Sequence, residues 1–181
     1  MYIIRPAVTT DFTAIFQLYK KVAALKTGIA RNVAEVKPAY IQHFMSEAAK
    51  TGIELVALHP DHAGKIIAEI HCYTWGIAKF SHVMGELTIA VAPDFQGQGV
   101  GKAIFLQLLD TVEQHHPDIL RVELVAQESN QRAIAFYKKI GFVEEGRFER
   151  RILLENGMLE ADIPMAWFNK YSDRSKNNKK E

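Results

Sequence analysis

One stretch constrains this chain more than any other. In residues 87–102, LTIAVAPDFQGQGVGK, an apolar strand-like run passes through a proline turn into a glycine-rich loop that opens a helix. Helix N-termini expose N–H groups that have no intrahelical partner, and glycine removes the side chains that would keep an anion away from them. Gly97, Gly99 and Gly101 alternate at the point where a helix must start, which weakens it unless something uses the space. The segment therefore reads as an anion cradle rather than a plain connector. A nucleotide-hydrolase loop is excluded, because Gly101-Lys102 is followed by Ala103 and the required upstream glycine is missing. A dinucleotide fingerprint accepts Gly97 and Gly99 but meets Lys102 at its third glycine, and the strands before it read as antiparallel.

The rest of the chain supplies a frame for that loop. Residues 2–4 form a strand-like run stopped by Arg5-Pro6, and Thr9-Thr10-Asp11 offers N-cap residues to a helix carrying Ile15, Leu18, Tyr19 and Val22. A second helix starts at Lys37-Pro38 and carries Tyr40, Ile41, Phe44, Met45 and Ala48, with residues 27–36 as a loop between the two. Runs at 53–58 and 65–75 flank a turn-forming stretch and predict an antiparallel hairpin; a third run covers 83–91. The helix from Val100 ends at Pro117, a strand follows at 119–126, and 130–139 forms another helix stopped by Gly141. From Phe142 two strands are expected, joined at Asn156-Gly157, with Pro164 marking an edge or a bulge in the last. The fold class is α/β (α+β): a mixed, mainly antiparallel sheet with helices on both faces.

With 181 residues, 48% of them hydrophobic, the chain suits one domain over 1–170 followed by a polar, disordered tail at 171–181. Lys and Arg number 22 against 21 for Asp and Glu, a net charge of +1, so neither nucleic acid nor an anionic membrane is expected as partner. Any anionic ligand must be held locally. Cys72 is the single cysteine, read as a packed strand residue, and no stretch has the pattern of a leader or a membrane span; a cytoplasmic soluble protein is expected. No metal site is expected.

The loop also carries a resemblance. Gln96-Gly97-Gln98-Gly99-Val100-Gly101 fits the Q/R-x-x-G-x-G/A motif of the GNAT acetyltransferases. Asn130 to Tyr137 followed by Gly141-Phe142 resembles the N-x-x-A-x-x-x-Y and G-F segment of the same family, and Ile4-Arg5-Pro6-Ala7 with Asp11 resembles its opening. The resemblance covers roughly residues 1–168 and implies an N-acetyltransferase that moves an acetyl group from acetyl-CoA to a primary amine of a small molecule or protein.

By that resemblance, Gln96, Gly97, Gln98, Gly99, Val100, Gly101 and Lys102 cradle the pyrophosphate of coenzyme A. Ile89, Ala90 and Val91 offer backbone hydrogen bonds to the pantetheine arm, and Asn130 hydrogen-bonds the cofactor or caps its helix. Tyr137 is the candidate acid for the departing thiolate. Glu86 is placed like the family's general-base glutamate, with Glu69, His71 and His82 as competitors. The acceptor site would be lined by the loop 27–36 and the terminal hairpin around 150–158, where Arg31, Glu149, Arg150, Arg151 and Glu155 are candidates. A homodimer is left open. The runner-up function is a coenzyme A-binding module without catalysis.

Overall fold

A computed structural model of the chain describes residues 2–25, 29–154 and 156–170. Thr27, Glu155 and the tail 171–181 lie outside the described residues.

The chain opens with β1 (Ile3–Pro6), which continues through Arg5-Pro6 because both residues pair with β2, Arg5 with Val56 and Pro6 with Leu55. A 3-10 turn at Thr9–Asp11 leads into α1 (Phe12–Ala23). Asp11 fixes this entry: one carboxylate oxygen accepts the Val8 N–H at 2.9 Å, and Arg5 donates to both oxygens at 2.7 and 2.8 Å. The bidentate Arg5 hydrogen bonds hold the Asp11 carboxyl below the usual carboxylate range. α2 (Pro38–Thr51) starts with its proline in the first turn, where a missing N–H costs nothing.

Antiparallel pairs then join β1, β2 (Gly52–His59), β3 (His62–Tyr73) and β4 (Val83–Val91). α3 (Val100–His115), β5 (Arg121–Gln127) and α4 (Gln131–Lys139) follow, and the chain ends on β6 (Val143–Glu144), β7 (Phe148–Leu153) and β8 (Leu159–Phe168). The sheet order is β1-β2-β3-β4-β5-β8-β6, with β7 also on β8. Among the described residues the single parallel pairing joins β4 to β5.

Two differences from the sequence reading concern the C-terminal ribbon. The segment before Asn156-Gly157 is two short strands rather than one, and β8 is interior, flanked by β5 on one side and by β6 and β7 on the other. Pro164 is tolerated there because a residue's N–H and C=O point to the same side of a strand. Its carbonyl accepts from Glu145 N–H at 3.0 Å, so its absent N–H also faces the interruption between β6 and β7.

Alternation along the strands builds one core on each face. Ile53, Leu55, Ile70, Cys72, Val122 and Leu124 pack with Ile104, Phe105 and Leu108 of α3. On the other face Val56, Tyr73 and Ala90 pack with Ile15, Leu18 and Tyr19 of α1 and with Ile41 and Phe44 of α2. Cys72 is sealed in the first core, and burial pushes its thiol up to about 12.

Candidate active site

The site begins where the sheet comes apart. β4 and β5 pair only through Val83 with Arg121 and Met84 with Val122. Immediately beyond, β4 carries a bulge: His71 pairs with Thr88 and Tyr73 with Gly85, so Glu86 and Leu87 together oppose Cys72. Glu86 takes up the extra residue with φ 52°, a left-handed conformation that costs a non-glycine residue about 1–2 kcal/mol. A bulge bends and twists its strand, which accounts for the divergence of β4 from β5.

The divergence leaves backbone groups facing the gap. Ala92 N–H donates to the Ile67 carbonyl of β3 at 2.8 Å. Successive residues of an antiparallel ladder alternate sides, so Thr88 and Ala90 also turn their backbone groups toward β3, while Ile89 and Val91 turn theirs toward the gap. The Val91 carbonyl accepts from the Gln96 side-chain amide at 3.1 Å, which ties the end of β4 to the glycine loop.

That loop presents a row of donors. Gly97 and Gly99 have φ of 77° and 87°, and Gly99 is the N-cap of α3. Among the described residues, no hydrogen bond engages the N–H groups of Gly97, Gly99, Val100, Gly101 or Lys102; the first helical N–H with a partner is that of Ala103, donating to the Gly99 carbonyl at 2.9 Å. Five neighbouring donors at a helix N-terminus have the geometry that suits an anion. Gly101 serves closeness, since a Cβ there would stand 3.4 Å from Val91 Cγ2.

α4 closes the far wall. Asn130 caps it, its side-chain oxygen accepting Ala133 N–H at 3.2 Å. Arg132, in the first turn, extends toward Gly97 and makes no ion pair among the described residues. Tyr137 packs its ring on Phe105 and Phe142 at centroid distances of 5.5 and 5.9 Å. Burial pushes its phenol up to about 12, so the hydroxyl keeps its proton through neutral pH.

Together Ile89, Val91, Gln96, Gly97, Gly99, Gly101, Lys102, Asn130 and Tyr137 line one open cleft of about 450 Å³. Four other candidates do not. Ala90 faces the α1–α2 core, and the Val100 side chain is buried beneath α3. Gln98 turns away, its carbonyl accepting the Tyr2 hydroxyl at 3.1 Å and its amide donating to the Asp94 carbonyl at 2.6 Å. Glu86 is exposed on its bulge, on the α1–α2 side of the sheet. The cleft also holds Val22, Phe95, Arg132, Ala133 and Phe136, which sequence reasoning passed over. Arg132 could have been found, since it stands two residues after the capping asparagine and so faces the same opening.

On the opposite face, a polar cluster lies under α1 and α2. Tyr19 hydroxyl donates to Glu69 Oε2 at 2.6 Å, and His71 Nδ1 lies 3.0 Å from Glu69 Oε1. Phe44 stacks on the His71 ring at 3.9 Å. Toward the surface the cluster continues into Tyr73, Tyr40 and Arg31, whose guanidinium lies 4.1 Å from the Tyr40 ring centroid. Burial raises the Tyr73 phenol to about 12, with the charge of Glu86 adding to the rise. His82 lies apart, at the β4–β5 junction, its carbonyl accepting from Leu120 and Arg121.

The parted sheet thus carries a turn of unpaired N–H groups at the end of β4 and an aromatic and acidic cluster on its other face. The description of the acetyltransferase (GNAT) family matches residues 41–142, more than half of the chain, and the chain belongs to that family. The ribosomal protein bS18 alanine N-acetyltransferase of Escherichia coli is 45% identical over 65 residues, 34% of this chain and 43% of that protein. The spermidine N(1)-acetyltransferase of Vibrio cholerae is 27% identical over 99 residues, 53% of this chain and 55% of that protein. Both alignments span little more than half, or less, of these relatives' lengths. The phosphinothricin acetyltransferase of Sinorhizobium meliloti, solved in complex with acetyl-CoA, shares the fold with a TM-score of 0.80 over 93% of this chain and 88% of that one, at 18% identity.

Proposed function

We propose that the chain is an acetyl-CoA-dependent N-acetyltransferase acting on a primary amine. The observation that carries this reading is the set of unpartnered N–H groups of Gly97, Gly99, Val100, Gly101 and Lys102, beside the gap toward which Ile89 and Val91 turn their N–H groups. The residues present fit the cofactor. The loop N–H groups and Arg132 match a pyrophosphate, and the backbone of Ile89 and Val91 matches the amides of a pantetheine arm. Bound there, acetyl-CoA would supply an acetyl thioester open to attack by a neutral amine.

The chain's own side chains divide the proton handling. Tyr137, protonated and facing the cleft, is proposed to donate to the thiolate. Glu86, on the far side of β4, is proposed to meet the ammonium form of the acceptor. The relatives named above act on chemically different acceptors that share an amine, which supports the reaction type and leaves the acceptor to residues 29–36 and the β7–β8 hairpin. Among the described residues no helix is long and apolar enough to cross a membrane, which supports a soluble, cytoplasmic enzyme.

The test is a melting-temperature series with acetyl-CoA, NAD and ATP, followed by a mass-spectrometric product screen over amino acids, polyamines, antibiotics and peptides. Acetyl-CoA at about a hundred times its dissociation constant should stabilise by roughly 2.7 kcal/mol. Stabilisation without any acetylated product would support a binding module instead.

A further inference from the structure

We propose that His71, held by Glu69, takes the proton from the acceptor amine. The proposal rests on the transferase reading above and adds a residue to it.

Glu69 and His71 are almost fully buried, at 0% and 2% exposure, and stand two residues apart on the α1–α2 face of β3. The Tyr19 hydroxyl has one proton, and Glu69 Oε2 at 2.6 Å takes it in preference to His71 Nδ1 at 3.4 Å. His71 Nδ1 is therefore the donor in its 3.0 Å contact with Glu69 Oε1, and in the neutral ring the lone pair sits on Nε2. Nε2 makes no hydrogen bond among the described residues, and it is not one of the sealed, unpartnered side-chain atoms, which are Glu54 Oε1, Arg121 Nε and Glu160 Oε2. It is the ring atom left available to a proton donor. A carboxylate that fixes one ring nitrogen and leaves the other free is the arrangement of a general base.

The position also fits. His71 pairs across the ladder with Thr88, whose hydroxyl donates to the Glu86 carbonyl at 3.5 Å, so His71 is one strand away from the bulge where β4 leaves β5. Tyr19 from α1 faces it directly, and the other charged and titratable groups of the cluster are Tyr40 from α2 with Arg31 of the preceding loop over its ring, and His43 and Glu47 of α2 beside Tyr73. From the sheet come Glu54 on β2, Glu69 and Tyr73 on β3, and Glu86 on β4. Burial and the neighbouring Glu69 raise the Glu54 carboxyl to about 8, so near neutrality Glu54 is uncharged. The step balances simply: an ammonium N–H bond breaks, an Nε2–H bond forms, the electron pair stays on the amine nitrogen, and the imidazolium returns its proton to water at the mouth. An imidazole is the stronger base of the two side-chain types offered here at neutral pH, which leaves Glu86 the task of attracting the ammonium.

Two readouts test this. Long-range proton–nitrogen NMR of the protein alone should find neutral His71 with its proton on Nδ1; a proton on Nε2 overturns the proposal whatever the activity. Kinetics would use acetyl-CoA with spermidine and with an alanine-initiated peptide. His71→Gln should lower kcat/KM by roughly 10²-fold or more and abolish the acidic limb of its pH profile, with acetyl-CoA affinity unchanged by calorimetry. Glu69→Gln, closer in shape, should let the neutral ring carry its proton on Nε2 as well as Nδ1 in the same NMR experiment, because the ring loses the carboxylate that fixes its tautomer. An even loss at all pH values would mean that the pair only packs. If Glu86→Gln removes the limb and His71→Gln keeps it, Glu86 is the base. Failure of wild type to acetylate any amine in the product screen would count against the transferase reading itself, and the NMR result would still decide the dyad's geometry.

Discussion

The two faces of β4 solve opposite problems. On the α3–α4 face the chain contributes mostly backbone: glycines, free N–H groups and an open gap, with few side chains engaged. On the α1–α2 face it contributes side chains that hold one another, Tyr19 to Glu69 to His71 under the Phe44 ring. A cofactor that is always the same can be met by fixed main-chain donors, whereas proton transfer to a chosen amine needs groups whose charge is set by their neighbours. The first face should thus fail through conformation and the second through electrostatics.

The largest expected effect breaks the first face alone. Nothing stands within 4 Å of a Cβ placed on Gly99, so the obstacle to a side chain is the φ of 87° together with occupation of the cradle. Gly99→Val should lose acetyl-CoA affinity on the order of 10³-fold, the equivalent of about two charge-assisted hydrogen bonds. Calorimetry would show it, and the His71 tautomer should not change. A fully retained affinity would remove the anion-cradle argument.

Tyr137→Phe sits between the faces, because it alters chemistry in the cleft without altering the backbone. We expect kcat to fall by roughly 10²-fold with acetyl-CoA affinity within about twofold of wild type. Single-turnover and steady-state rates should be compared, and agreement of both with wild type would leave Tyr137 a packing residue of the Phe105 cluster.

Arg132→Ala sharpens the claim that backbone dominates the first face. Being exposed, the guanidinium should add only about 5- to 10-fold to acetyl-CoA affinity, a contribution that shrinks as salt is raised. A loss as large as that of Gly99→Val would invert the ranking of main chain over side chain.

The smallest effect belongs to the second face and is read in stability. Glu54 is raised from 4.5 to about 8 in the folded protein. Between those values the folded chain keeps a proton that the unfolded chain has released, so this group's stabilising contribution is present below about 4.5 and is lost as pH rises through about 8. Glu54→Gln, which cannot ionise, should therefore raise Tm by a few °C above pH 8 and by almost nothing near pH 4, as scanning calorimetry at the two pH values would show. A gain that is the same at both would mean that the carboxyl is not titrating in that window.

The same contrast explains what could be read in advance. Helices and most strands were legible because their signals are local, such as Pro38 opening α2 or Asn156-Gly157 closing the last hairpin. The cleft was legible where its residues are contiguous, at 96–102, and where a helix start announces them, at Asn130. The polar cluster was not, because Tyr19 and Glu69 are 50 residues apart and meet only once strand register and helix packing are known. The bulge at Glu86 was hidden too: alternation rightly puts Glu86 on one face with Thr88 and Ala90, but nothing in the sequence marks the inserted residue that parts β4 from β5 just there. Pro164 misled for a related reason, since an interior strand can carry proline when its neighbour is interrupted opposite it.

The parting of β4 from β5 also bears on how the protein should breathe. Two ribbons, β1 to β4 and β5 to β8, share a core beneath α3 but are laced together by only two residue pairs at one end. An arm of ligand laid along β4 would finish the lacing as an extra strand, and it would do so at alternate positions only. Amide exchange at Ile89 and Val91 should accordingly slow when acetyl-CoA is added, while Thr88 and Ala90, already bonded to β3, change little. The ligand would then be a piece of secondary structure supplied from outside, and the empty enzyme a sheet that solvent can still enter along a single seam.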